Sequence, residues 1–318
     1  MKFLQIFSRS VSVFVFGENK KKKTVKRRRS NWYIYLISFA TTFALLCLLV
    51  LAFQDVLFPD GSNRAHNNWG HGFIPSEELD TTVLFMLSDA QGSVPTMYML
   101  ANYRPADEVI VIVPLNADTR ITVPGRNAKI GTLPDIYREG GAIMVKEGLE
   151  ETLGIECEYF VVFDRSSFTS FMADLGDVTV RIPFDFSGGV ISLKAGEHKL
   201  TGGDLFIYMT RANFPQAGVN YNLVIMGSVV SSIINTNARN LDTETIQSAF
   251  LRILNNSTTN MTQAVFREYQ QALLHTSRNT FNPAGYYLPP GSYEGGMFVL
   301  NDTAIAEIQR RFNQSGRS

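Results

Sequence analysis

The order of apolar and polar positions divides the 318 residues into three stretches. Residues 32–53 carry no charged side chain over 22 positions. A helix rising about 1.5 Å per residue needs roughly 20 such residues to cross a hydrocarbon core of about 30 Å. Residues 54–81 lack an apolar period and hold Pro59-Asp60-Gly61-Ser62-Asn63, Asn67-Asn68, Gly70 and Gly72, which predicts a linker. From residue 82 onward, short apolar runs alternate with helical stripes. Strands are predicted at 83–87, 96–102, 109–113, 159–163, 178–182 and 190–193, and the continuous runs among them suit strands buried on both faces. Helices are predicted at 142–153, opened by Gly140-Gly141, and at 166–175, 223–235, 243–254, 261–274 and 302–312, the last capped by Asp302. Residues 205–209 fit the start of either a helix or a strand, and 286–296 are rich in Pro and Gly. Alternation of this kind implies an α/β sheet covered on both faces.

Charge orients the first stretch. Residues 1–30 hold 10 basic side chains and one acidic, with Lys20 to Lys23, Lys26 and Arg27 to Arg29 directly before the span. Basic flanks resist translocation, so 1–30 form a basic cytoplasmic tail, 31–53 an uncleaved transmembrane helix, and 54–81 a linker. Residues 82–318 then make an extracytoplasmic domain. The formal net charge of zero conceals 19 basic against 28 acidic residues beyond the span, which speaks against a nucleic-acid partner. Cys47 lies in the span and Cys157 in the domain, so no disulfide is expected. His66, His71, His198 and His275 show no zinc-type spacing.

Candidate chemistry is sparse. Asp89 follows the first strand, where open α/β sheets place ligands, although it could equally cap a turn. Asp118-Thr119-Arg120 fits a phosphate or metal site or an Asp-Thr turn. Arg211 is an isolated cation in an apolar run. Residues 223–234, including Leu223 and Val230, fit a lipid cavity or an ordinary core helix. Arg104 and Arg126 read as solvated turn residues, and Asp174 as the residue that fixes the 175–177 turn.

The order of segments resembles the LytR-CpsA-Psr family of membrane-anchored exterior proteins of Gram-positive bacteria. The resemblance rests on Lys129-Ile130-Gly131, Gly140-Gly141-Ala142, Leu153-Gly154-Ile155, residues 159–164, Phe168, residues 174–180 with Pro183, and Leu200-Thr201-Gly202. It implies a mixed central sheet flanked by helices. It also implies transfer of a phosphate-linked glycopolymer from a polyprenyl phosphate or pyrophosphate carrier to peptidoglycan, with membrane lipid and wall glycopolymer as partners. On the matching positions Asp89, Asp118, Arg120 and Arg211 would be catalytic, and Asp89 and Asp118 would hold Mg2+. Thr119, Tyr208, Leu223 and Val230 would line the ligand site.

This chain departs from the family pattern at the cations. Pro95 stands for an aspartate, Ala117 for an arginine, and Thr210-Arg211-Ala212 for an Arg-x-Arg. Asn222, Ile225 and Met226 stand for Arg-x-x-Arg-Gln. Each charge-assisted hydrogen bond lost is worth roughly 1.5–3 kcal/mol. The expectation is therefore binding of a polyprenyl-phosphate-linked ligand with weak or absent transfer. The alternatives are an active phosphotransferase and a non-catalytic wall scaffold.

Overall fold

The computed structural model describes residues 73–125, 128–214, 217 and 220–313, all within one compact unit that spans 62–318. The expected membrane span, its basic flank and Arg126 lie outside the described residues. Among the described residues no helix is long and apolar enough to cross a membrane.

After a 3-10 turn at Glu77–Leu79, three long strands follow one another: β1 (Thr81–Ser88), β2 (Met97–Arg104) and β3 (Val109–Leu115). A small hairpin, β4 (Arg120–Val123) and β5 (Lys129–Thr132), leads into α1 (Leu133–Leu153). Next come β6 (Tyr159–Asp164), α2 (Arg165–Leu175), β7 (Val178–Ile182), β8 (Phe186–Gly188), β9 (Ile191–Leu193) and β10 (Gly196–Leu200). Four helices and one short strand form the next section: α3 (Gly202–Arg211), α4 (Tyr221–Ala238), α5 (Thr243–Asn256), β11 (Thr258–Thr259) and α6 (Gln263–Asn279). The chain closes with β12 (Ala284–Tyr286), the hairpin β13 (Gly291–Glu294) and β14 (Met297–Leu300), and α7 (Asp302–Arg311).

The central sheet has the order β11-β6-β1-β2-β3-β12. β1 runs antiparallel to β2 but parallel to β6, and β12 runs parallel to β3, so the sheet is mixed as expected. The edges are strands of two and three residues, too short to template pairing with another chain. Side chains alternate between two cores. Leu84, Met86, Leu100 and Val113 face α1 and α7, while Leu87, Met99, Ile112 and Val161 face α2, α3 and α4. Burial on both faces explains why these strands read as unbroken apolar runs. A smaller cluster, Ile246, Phe266 and Leu274, seats α5 on α6.

Several expectations need correction. The helix expected to open at Gly140-Gly141 starts at Leu133, capped by Thr132, and is only interrupted by Gly141 at φ 66°. The last helix is capped by Asn301, whose Oδ1 accepts from the Ala304 N–H at 2.7 Å, and not by Asp302. Asp174 does not pin a turn: its carboxylate accepts from Ser248 and from both Nε and Nη2 of Arg252, locking α2 to α5. These bonds, with the Arg252 charge, hold its carboxyl below the usual range. Arg104 ends β2, largely shielded, with its Nε 3.4 Å from Asp107. Residues 205–209 are helical. Cys157 is a buried free thiol, its pKa pushed up to about 12 by burial, and therefore inert.

Candidate functional site

The carboxyl ends of β1, β3 and β6 meet at one edge of the sheet. Register places Ser88 beside Asp164, Leu87 opposite Met97, and Tyr98 opposite Leu115. Asp89 therefore leaves β1, and Asn116 leaves β3, at the edge where open α/β sheets bind ligands. The amino end of α4 reaches the same edge, because Asn116 Nδ2 donates to Asn220 Oδ1 at 2.9 Å.

The loop after β3 is pinned from several sides. Asn116 is buried, and its Oδ1 accepts the Asp118 N–H at 2.9 Å. Asp118 carries an exposed side chain, while its carbonyl accepts from the Phe298 N–H at 2.8 Å. Tyr293, from β13, donates its hydroxyl to Asp118 Oδ2 at 3.1 Å and accepts from Asn116 Nδ2 at 3.0 Å. Arg120 Nη1 lies 3.9 Å from Glu294 Oε2 with both side chains well exposed, a loose pair worth little in water. Thr119 is fully buried, and its hydroxyl has no hydrogen-bond partner among the described residues.

The hairpin β13–β14 thus touches Asp118, Thr119 and Arg120 in turn. Asp89 is exposed past the end of β1, and Arg211 is exposed at the last position of α3, with its Cδ 3.9 Å from where a Cβ on Gly189 would sit. Among the described residues neither forms an ion pair with Asp118 or Arg120. Tyr208 is buried edge-on against Phe186 at 5.3 Å, and burial pushes its phenol up to about 12. Leu223 is buried in the core between the sheet and α4, and Val230 packs partly buried against it.

The departures from the cation pattern have structural counterparts. Pro95 is buried, its carbonyl accepting from Tyr98 Oη at 2.9 Å. Thr210 folds back onto its own helix, donating to the Phe206 carbonyl at 2.8 Å. Ile225 and Met226 are both buried in the apolar core.

Mg2+ is usually held by one or two carboxylates, with water and substrate phosphate filling its octahedron. Asp118, exposed with one carboxylate oxygen unengaged among the described residues, is a donor of that kind, and so is Asp89. Strand spacing of about 4.8 Å sets the backbones of β1 and β3 about 10 Å apart across β2. Such donors suit an ion shared with phosphate oxygens. No group of three or more His, Cys, Asp or Glu side chains that could hold a metal gathers among the described residues.

A separate acidic depression of about 430 Å³ lies at the opposite edge of the sheet, lined by Glu77, Glu78, Asp80, Glu156, Glu158, Phe312 and Asn313. Burial raises the carboxyl pKa of Glu158, against hydrogen bonds from Thr82 and Thr81 that lower it. A raised pKa means that the folded state holds this proton more tightly than the unfolded chain does. Folding is therefore favoured at pH below the unfolded carboxylate range and loses that advantage as pH rises through the folded value. Glu158→Gln keeps an acceptor for the Thr82 N–H. It is expected to melt higher than the parent at about pH 7, with the gap closing below about pH 4. Melting curves across that range check it.

Exposed carboxylates and a neighbouring arginine at the carboxyl ends of the strands of a mixed sheet mark an α/β domain whose candidate groups gather where open sheets place ligands. The chain belongs to the LytR_cpsA_psr family, whose model matches residues 77–313. It is 24% identical over 223 residues to the polyisoprenyl-teichoic acid--peptidoglycan teichoic acid transferase TagU of Bacillus subtilis (strain 168), covering 69% of this chain and 71% of TagU. The fold is similar to the crystal structure of TagV from B. subtilis, with a TM-score of 0.62, 19% identity, and coverage of 74% of this chain and 96% of TagV. It is also similar to TagT bound to LI-WTA, with a TM-score of 0.59, 17% identity, and coverage of 76% and 93%. These structural likenesses establish the fold.

Asn116 was not legible in the sequence as a buried organiser, and neither Tyr293 nor Glu294 was legible as a neighbour of Asp118 and Arg120. Tyr293 is 177 positions from Asn116, and the Pro/Gly density of 286–296 reads as loop. One signal was present: Gly295-Gly296 between Tyr293-Glu294 and Met297-Phe298 is the dipeptide of a two-residue hairpin. Both glycines have positive φ, 58° and 85°.

Proposed function

We propose that this chain is a membrane-anchored, extracytoplasmic member of the family that works in cell-envelope glycopolymer assembly. In this reading it binds a polyprenyl-phosphate-linked ligand with weak or absent transfer. Residues 31–53 anchor it, and the basic tail stays cytoplasmic. The phosphate is met by Arg120 and Arg211, with Mg2+ held through Asp118 and Asp89. The lipid portion meets the apolar layer that includes Leu223, Val230 and Tyr208, which share one core, and Thr119 stands with Asp118 on the phosphate side. TagU is named for moving teichoic acid from a polyisoprenyl carrier to peptidoglycan, which supports a carrier-linked glycopolymer as partner here.

The observation that carries weak turnover is the burial of Ile225 and Met226 in α4. Where the family pattern has a guanidinium and an amide, this chain offers hydrocarbon to the sheet. Fixed cations offset the charge that develops in phosphoryl transfer, so their loss falls on the transition state. The full-length chain in detergent, given a polyprenyl pyrophosphate and Mg2+, is expected to bind it and release little phosphate. Asp118→Ala is expected to weaken that binding about 10-fold, as loss of one charge-assisted contact does. Rapid phosphate release would favour an active phosphotransferase, and absence of binding would leave a wall scaffold.

A further inference from the structure

The orientation of the Asp118 carboxylate is set by a chain of hydrogen bonds whose directions follow from one fixed donor. The Asp118 backbone N–H can only donate, so the oxygen of the Asn116 amide must face it, at 2.9 Å. The Asn116 NH2 is then turned toward Asn220 Oδ1 and Tyr293 Oη, at 2.9 and 3.0 Å. With its oxygen accepting from Asn116, the phenol has one proton left. That proton points to Asp118 Oδ2, 3.1 Å away.

The ring that carries this hydroxyl is itself held. Tyr293 packs edge-on against Phe298 at 5.4 Å, and the Phe298 N–H bonds the Asp118 carbonyl at 2.8 Å. The same hairpin therefore grips Asp118 by its backbone and by its side chain. Oδ2 is engaged, and Oδ1 of this exposed side chain has no hydrogen-bond partner among the described residues. Groups that orient a metal-binding carboxylate from behind typically change metal affinity 10- to 100-fold when removed.

We propose that Tyr293 is a positioning residue: by holding Oδ2 of Asp118 it presents Oδ1 to a divalent cation and the phosphate that cation carries. This rests on the reading of Asp118 as a cation and phosphate group. Tyr293 does not touch the ligand. Its hydroxyl fixes one rotamer of a side chain that would otherwise turn freely at the surface, so the cation meets a ligand already in place.

The test uses the full-length chain in detergent, titrated with Mn2+ alone and followed by electron paramagnetic resonance. Tyr293→Phe keeps the ring on Phe298 and removes only the hydroxyl. It is expected to raise the Mn2+ dissociation constant about 10-fold while leaving circular dichroism unchanged. Asn116→Ala breaks the chain from its other end, and the double variant is expected to lose no more than the larger single loss, because both act through one carboxylate. Glu244→Gln, at an exposed carboxylate in the first turn of α5, is expected to stay within about twofold of the parent. Unchanged affinity in Tyr293→Phe would overturn the role of Tyr293 and leave the functional reading standing. If the parent binds no Mn2+, or binds it equally well as Asp118→Ala, the role of Tyr293 and the assignment of Asp118 as a cation group fall together, and ligand binding is judged by the polyprenyl pyrophosphate assay alone.

Discussion

Leu84→Ala is expected to lower the unfolding free energy by about 2–5 kcal/mol, among the larger costs a single side chain can incur here. Leu84 is fully buried at the centre of β1, with Leu100 opposite on β2 and Phe160 beside it on β6. It points into the core shared with Leu149 of α1 and Ile308 of α7. Two flanking strands and two covering helices leave little room for collapse into the space vacated, so a cavity term adds to the lost transfer energy. Ile143→Ala is the contrast, since Ile143 is exposed and should change stability by no more than about 0.5 kcal/mol. Urea unfolding of both variants decides the matter. Equal midpoints would mean that the β1 core is not the one described.

Gly291→Ala is expected to open the β13–β14 hairpin. A Cβ at this position would stand 2.4 Å from the carbonyl oxygen of Val299 and 2.8 Å from the Phe298 ring. Val299 is backbone of the partner strand and cannot swing aside, so the strands must part at the pair Gly291 and Leu300. Forced overpacking of this kind costs about 1–3 kcal/mol. The consequence reaches the site, because separation draws Phe298 from the Asp118 carbonyl and Tyr293 from its carboxylate. Amide exchange at Phe298 should accelerate, and Mn2+ affinity should fall at least as far as in Tyr293→Phe. Parental protection at Phe298 would show that the strands accommodate the methyl group.

The long strands and most helices were legible because each presents an apolar pattern on the scale of its own element. The runs at 83–87 and 109–113 became β1 and β3, and 223–235 became α4. Most elements of four residues or fewer were lost, including β4, β5, β12 and β13, although the run at 190–193 became β9. Their pairing is decided by partners distant in sequence, and their half-exposed residues carry little period. The first turns of α1 were missed because two adjacent glycines signal an end, whereas Gly141 only kinks a helix whose flanking turns are held by Leu133, Ile136, Val145 and Leu149.

At the site, Asp118 and Arg120 were legible as candidate ligand groups, as was the uncharged character of Ala117, Thr210 and Ile225. Their surroundings were not. A hydroxyl that holds Asp118 arrives from a hairpin near the end of the chain, and nothing local to either residue announces the other. The buried hydroxyl of Thr119 and the saturated amide of Asn116 are likewise properties of the assembled edge.

By itself the sequence determined the family, the α/β class and the acidic character of the domain, because these depend on residue type and local period. Only the tertiary structure decided which edge carries the candidate groups, that Asn301 and not Asp302 caps the last helix, that Asp174 ties α2 to α5, and that Tyr293 holds Asp118. Each of those depends on distance between residues far apart in the chain, which hydrogen-bond geometry fixes and local pattern does not record.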